Sequence, residues 1–192
     1  MKRTISRVVI FLSLLSVACS NEQKAVPKFY DFEGLINEQV SQLNLHKRTL
    51  NKSAMVKGLE SDSSYLPSGK GWETELEVFR QMEMLNKPNY RSDYKIVDPV
   101  KDIRSNLKIR EYISSTAPVN SLKFYYHDDF SQLKKIEAVI LEKNVLYANG
   151  RVFTMEFEES DGKPVLDHYS MTGFQKMVMR DTVHFSLQGQ IQ

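Results

Sequence analysis

Much of what catalysis and nucleic-acid binding draw on is scarce in this chain. Its 192 residues contain one cysteine, Cys19, so no internal disulfide can form and no cysteine-based metal cluster can be assembled. There is no Gly-x-Ser-x-Gly elbow to present a hydrolase serine. At Gly69-Lys70-Gly71 a phosphate loop would need a glycine five residues earlier and a hydroxyl after the lysine, and the chain has Ser64 and Gly71 there. The stretch reads instead as a flexible lead-in to a helix. The 26 Lys and Arg are balanced by 24 Asp and Glu and never form a long run, which leaves no electrostatic footprint for nucleic acid. No apolar run reaches the roughly 20 residues that span a bilayer.

One short apolar run is present, and it stands at the N-terminus. Lys2, Arg3 and Arg7 precede Val8 to Ala18, and no acidic residue occurs before Glu22. A basic segment, an apolar segment of about 11 residues and a small residue at its end make up the plan of an export signal. The run ends in Ser16, Val17, Ala18 and Cys19. Those four residues resemble the lipobox of bacterial lipoproteins, with Leu15 one step further from the cysteine than the family usually has it. The resemblance covers residues 1–19 and implies cleavage between Ala18 and Cys19. It also implies that Cys19 becomes the new N-terminus and carries thioether-linked diacylglycerol and palmitate-type chains. Lipidation would account for a lone thiol in an oxidising compartment, and two or three acyl chains hold far more firmly than the marginal single chain. In such lipoproteins an aspartate after the cysteine favours inner-membrane retention. Ser20 stands there, which implies the outer membrane.

Three of the basic residues fall within residues 1–18, so the mature chain has 23 basic against 24 acidic residues. The expected organisation is a signal peptide at 1–18, a polar tether at 19–28 and a single domain at 29–192. A first helix is predicted from Asp31 as N-cap, with Phe32, Leu35, Ile36, Val40 and Leu43 on one stripe. A second is predicted from about Trp72 to Asn86, bearing Trp72, Leu76, Phe79, Met82 or Met84, and Leu85, and stopped by Pro88. Residues 47–61 read as strand or hairpin with a break near Asn51-Lys52. Residues 106–114 alternate Leu107, Ile109 and Ile113 as a strand would, although Val100, Ile103 and Leu107 also fit a helix.

From Ser121 the period changes to that of strands. Segments of about 7 to 10 β-branched and aromatic residues are separated by Asp128-Asp129, Lys143-Asn144, Asp161-Gly162 and Arg180-Asp181. Val183, Phe185 and Leu187 alternate with His184, Ser186 and Gln188, the mark of a sheet with one wet face. Asn149-Gly150 suggests a tight turn. The fold class expected is α+β: an antiparallel β-sheet meander with two amphipathic helices packed on one face, after a cleaved N-terminal signal peptide.

Chemistry-bearing residues are scattered. His46, His127, His168 and His184 show no helical metal spacing, and a turn at Arg180-Asp181 would set His184 opposite about residue 177. Glu73, Glu75 and Glu77, and Glu156, Glu158, Glu159 and Asp161, read as solvated faces. Met155, Met171, Met177 and Met179, with Phe153, Phe157, Phe174 and Phe185, suit a core first and a lipid cavity second. No metal, cofactor or catalytic residue is expected.

In its layout the mature part resembles small lipoproteins of Bacteroidetes-type bacteria, a likeness that implies no activity. The leading expectation is a non-enzymatic envelope lipoprotein with a structural or binding role. Its partners would be the membrane, through the anchor at Cys19, and other envelope proteins. The second expectation is a lipid or lipoprotein carrier with a curved half-barrel sheet, and the third is a hydrolase.

Overall fold

A computed structural model describes residues 28–192. The expected signal peptide, Ala18, Cys19 and the tether as far as residue 27 lie outside the described residues.

Nine strands form one antiparallel sheet: β1 (Leu50–Val56), β2 (Leu59–Tyr65), β3 (Lys95–Lys101), β4 (Lys108–Ile113), β5 (Val119–Tyr126), β6 (Leu133–Lys143), β7 (Tyr147–Ser160), β8 (Lys163–Met177) and β9 (Val183–Ile191). Their order is β2-β1-β9-β8-β7-β6-β5-β4-β3. The chain therefore meanders from β3 to β9 and then returns to its first hairpin, with Leu50 opposite Ile191 and Val56 opposite Phe185. Thr49 and Gln192 close this join by exchanging backbone bonds of 2.7 and 2.9 Å. Because neighbouring strands alternate in direction, the β1–β2, β4–β5, β6–β7 and β8–β9 turns all fall at one end of the sheet.

Period-2 alternation sends one side of each central strand into the core. Leu133, Ile136, Ala138 and Ile140 of β6 are buried, and they lie in register with Tyr126, Phe124, Leu122 and Val119 of β5. Phe153 and Met155 of β7 continue that face to Met171 and Tyr169 of β8.

Two helical elements contribute to the same core. Helix α1 (Phe32–Leu45) is capped by Asp31, whose carboxylate accepts the Gly34 N–H at 3.2 Å. It buries Phe32, Leu35, Ile36 and Leu43. The second element differs from expectation. Only α2 (Gly71–Leu76) is α-helical, and Glu77–Asn86 winds as a 3-10 helix. Leu76, Phe79, Met82 and Leu85 recur every three residues and are all fully buried. A 3.0-residue turn keeps such a row on one side, whereas an α-helix would rotate it away. Phe79 sits edge-on to Phe153 and Tyr169, with ring centroids 5.6 and 5.4 Å apart. Each such buried side chain contributes roughly 1.5–3 kcal/mol.

Two local expectations are corrected. The 47–61 hairpin breaks at Lys57-Gly58, where both residues have positive φ, and Asn51-Lys52 lies inside β1. Asn149-Gly150 is not a turn but part of β7, paired on both sides with β6 and β8, and residue 150 is glycine because the Phe174 ring and Leu141 occupy the space a side chain would need. The reversal comes earlier, at Asn144 to Leu146, where the Asn144 carboxamide accepts the N–H groups of Leu146 and Tyr147 at 2.8 and 2.9 Å. Residues 108–113 are strand, and the edge strand β3 precedes them where the sequence left helix open.

Candidate functional site

The expected chemistry-bearing residues do not converge. His46 caps the end of α1, His127 opens the β5–β6 turn, and His168 and His184 stand on the outer side of β8 and β9. His184 faces Phe174 and not residue 177, because the β8–β9 reversal centres on Met179. Among the described residues no group of three His, Cys, Asp or Glu could hold a metal ion. Glu156, Glu158 and Glu159 engage Lys135, Arg48 and Lys134 respectively. The late methionines divide: Met155 is buried, while Met177 and Met179 are exposed.

Glu75 is one carboxylate that turns inward. It sits on the apolar side of α2, between Trp72 and Phe79, and so faces the sheet. It accepts Lys52 Nζ at 2.6 Å, the Tyr65 hydroxyl at 2.6 Å and the Tyr169 hydroxyl at 3.2 Å. Burial raises the Glu75 carboxyl, but the Lys52 and tyrosine contacts outweigh it and hold the group below its ordinary value. Burial and the adjacent carboxylate push Tyr65 up to about 12 and Tyr169 further in the same direction. Such phenols stay protonated and donate. The cluster ties α2 to β1, β2 and β8, and it holds no activated nucleophile. A charge on an apolar helical stripe was the sequence signal for it.

On the outer side of the sheet, Asn51, Lys52, Asp62, His168, Gln188 and Gln190 are among the residues that line a shallow groove of about 560 Å³. It contains no aromatic platform, and the Lys52 ammonium is taken up by Glu75.

The most unusual surface lies at the end of the sheet that carries the β6–β7 and β8–β9 turns. Val145 is 92%, Leu146 69% and Met179 101% exposed, and Met177, Val178 and Tyr147 are exposed beside them. Turn chemistry normally puts polar residues, Gly or Pro in such places. The two turns are joined, since the Val178 N–H donates to the Leu146 carbonyl at 3.0 Å. Arg180 N–H closes the β8–β9 reversal onto the Met177 carbonyl at 3.2 Å. Val56 and Leu59 flank the neighbouring β1–β2 turn and are also exposed. Open grooves of about 600 and 850 Å³ run on either side of the β8–β9 turn. The strand periodicity gave no reason to single out Val145 and Leu146. An apolar pair in a turn was the available sign.

Among the described residues no helix is long and apolar enough to cross a membrane. No family model, curated protein or solved structure matches the chain.

Proposed function

We propose that this chain is a lipid-anchored protein of the bacterial outer membrane whose folded body acts by binding through its exterior, without catalysis. Lipidation at Cys19 after cleavage behind Ala18 supplies the anchor, and Ser20 favours the outer membrane.

The observation that carries the binding role is the apolar rim formed by the β6–β7 and β8–β9 turns. Large exposed apolar groups gathered at one place on a folded surface mark interaction sites more often than isolated ones do. The space between helices and sheet is filled by Phe79, Phe153, Tyr169 and Met82, all fully or almost fully buried. That packing favours a surface role over the carrier reading, which needs an apolar chamber of several hundred cubic ångströms. The dispersal of the histidines over turns and the outer face likewise favours binding over hydrolysis.

Two measurements test the anchor. Cells fed radiolabelled palmitate should incorporate it into the wild-type protein and not into Cys19→Ser, and the variant should leave the membrane fraction on washing. Absence of label from the wild type, or undiminished membrane retention of Cys19→Ser, refutes the proposal.

A further inference from the structure

The rim has features beyond its apolarity that indicate what it binds. Its apolar side chains project from turn apices and border open grooves, with no enclosed chamber behind them. Met179, at the outermost position, has φ of 60°. Only glycine takes that conformation without cost, so a long thioether is kept there against a local penalty. Exposed cations surround it: Lys57 on the β1–β2 turn, Lys143 before the β6–β7 turn, and Lys176 and Arg180 around the β8–β9 turn, with Asp181 among them. None of these four cations forms an ion pair among the described residues, although Lys134, Lys135 and Lys163 elsewhere on the sheet do. The described chain also begins toward this end. Phe29 lies against Tyr94, the residue before β3, whose first pair, Lys95 with Ile113, abuts the β4–β5 turn.

Apolar tips ringed by unpaired cations are complementary to a bilayer surface, with acyl chains beneath a layer of anionic phosphates. A protein groove would have to set an acid opposite each cation, whereas a leaflet presents phosphates all round the ring.

We propose that the rim inserts into an anionic membrane leaflet. Val145, Leu146, Val178 and Met179 enter the boundary between headgroups and acyl chains, while Lys57, Lys143, Lys176 and Arg180 meet the lipid phosphates. This deepens the reading of the body as a surface-binding module in the envelope. It gives the protein a second membrane contact besides the lipid on Cys19, and that contact fixes which end of the sheet faces the bilayer.

The test uses tryptophan as a depth probe. The chain has one tryptophan, Trp72, which is fully buried and supplies a constant background. Met179→Trp places a second one on the rim. Ile103→Trp places it on the 95%-exposed β3–β4 turn at the opposite end of the sheet. Each full-length lipidated chain is reconstituted into vesicles of phosphatidylglycerol and brominated phosphatidylcholine. The expected result is a blue shift and loss of emission for residue 179, with residue 103 unaffected. Adding Lys143→Glu and Arg180→Glu should relieve the quenching, since each lost cation weakens the contact about fivefold before repulsion is counted. Equal quenching at both positions, or none at 179 while the chain stays on the vesicles, overturns the insertion and leaves the anchor standing. Crosslinking of residue 179 to a second copy or to another protein, without quenching, overturns it as well.

Discussion

Gln39 offers the sharpest test of how the helices are held. It is a fully buried polar residue on α1, and its amide completes the backbone of β8 where that strand runs past its neighbour. Pairing of β8 with β9 begins at His168, so Pro164 to Leu166 have no strand on that side. Gln39 Oε1 accepts the Leu166 N–H at 2.7 Å and Nε2 donates to the Pro164 carbonyl at 3.0 Å. The side chain thus imitates a missing strand. Gln39→Ala removes two buried hydrogen bonds of about 1 kcal/mol each and leaves a donor and an acceptor unpaired, for a total cost of about 2–4 kcal/mol.

Gln39→Glu has the same shape, and its effect depends on pH. One carboxylate oxygen can still accept from Leu166, but the other meets the Pro164 carbonyl with no proton to offer. A buried charge left without a partner costs about 3 kcal/mol or more, which would raise the folded pKa of the glutamate well above its unfolded value. An acid whose folded pKa is raised destabilises as pH climbs through that window. The deficit should therefore be small at about pH 4, grow between the two pKa values and be complete above the folded one. Urea unfolding followed by Trp72 fluorescence measures both variants. A loss below about 0.5 kcal/mol for Gln39→Ala, or a Gln39→Glu deficit that does not change with pH, would refute the reasoning.

Two further outcomes follow from the same geometry. Glu75 is held below its ordinary value of 4.5, so its contribution to stability is present above that pH and is lost as pH falls through the lower folded value. Glu75→Gln should remove that part of the acid sensitivity in unfolding curves taken between neutral and acid pH, leaving the part due to the other lowered carboxyls. Among them are Asp98, which burial raises but Arg110 and Tyr126 hold down, and Glu137, which burial raises but Lys135 and Tyr125 hold down. Equal acid sensitivity with and without Glu75 would contradict this. Met179→Gly should relieve a left-handed backbone penalty of about 1–2 kcal/mol, partly offset by about 0.5–1 kcal/mol of added chain entropy. Its melting temperature should rise by about 2 °C in calorimetry while vesicle binding by the rim falls, and a loss of stability would show that Met179 packs instead of projecting.

The division between what could be read and what could not follows the range of the forces involved. Near-neighbour patterns identified α1 and its Asp31 cap, the five later strands and the Asp161-Gly162 turn, because capping, pleat alternation and turn conformation are decided within a few residues. The same patterns misread Asn149-Gly150, whose glycine makes room for the Phe174 ring on the adjacent strand and does not serve a turn. They also took the row Leu76, Phe79, Met82 and Leu85 as α-helical, although its strict spacing of three was there to be seen.

The sequence by itself determined an antiparallel meander, a capped amphipathic helix and a basic-apolar N-terminal run ending at Cys19, since each rests on the order of adjacent side chains. Only the tertiary structure decided that β9 returns to β1, that Gln39 serves backbone groups 125 and 127 residues away, that a half-buried Glu75 meets two tyrosines and a lysine, and that the β6–β7 and β8–β9 turns meet in one apolar rim. Those placements depend on which distant surfaces exclude water together, and that is a property of the whole folded chain.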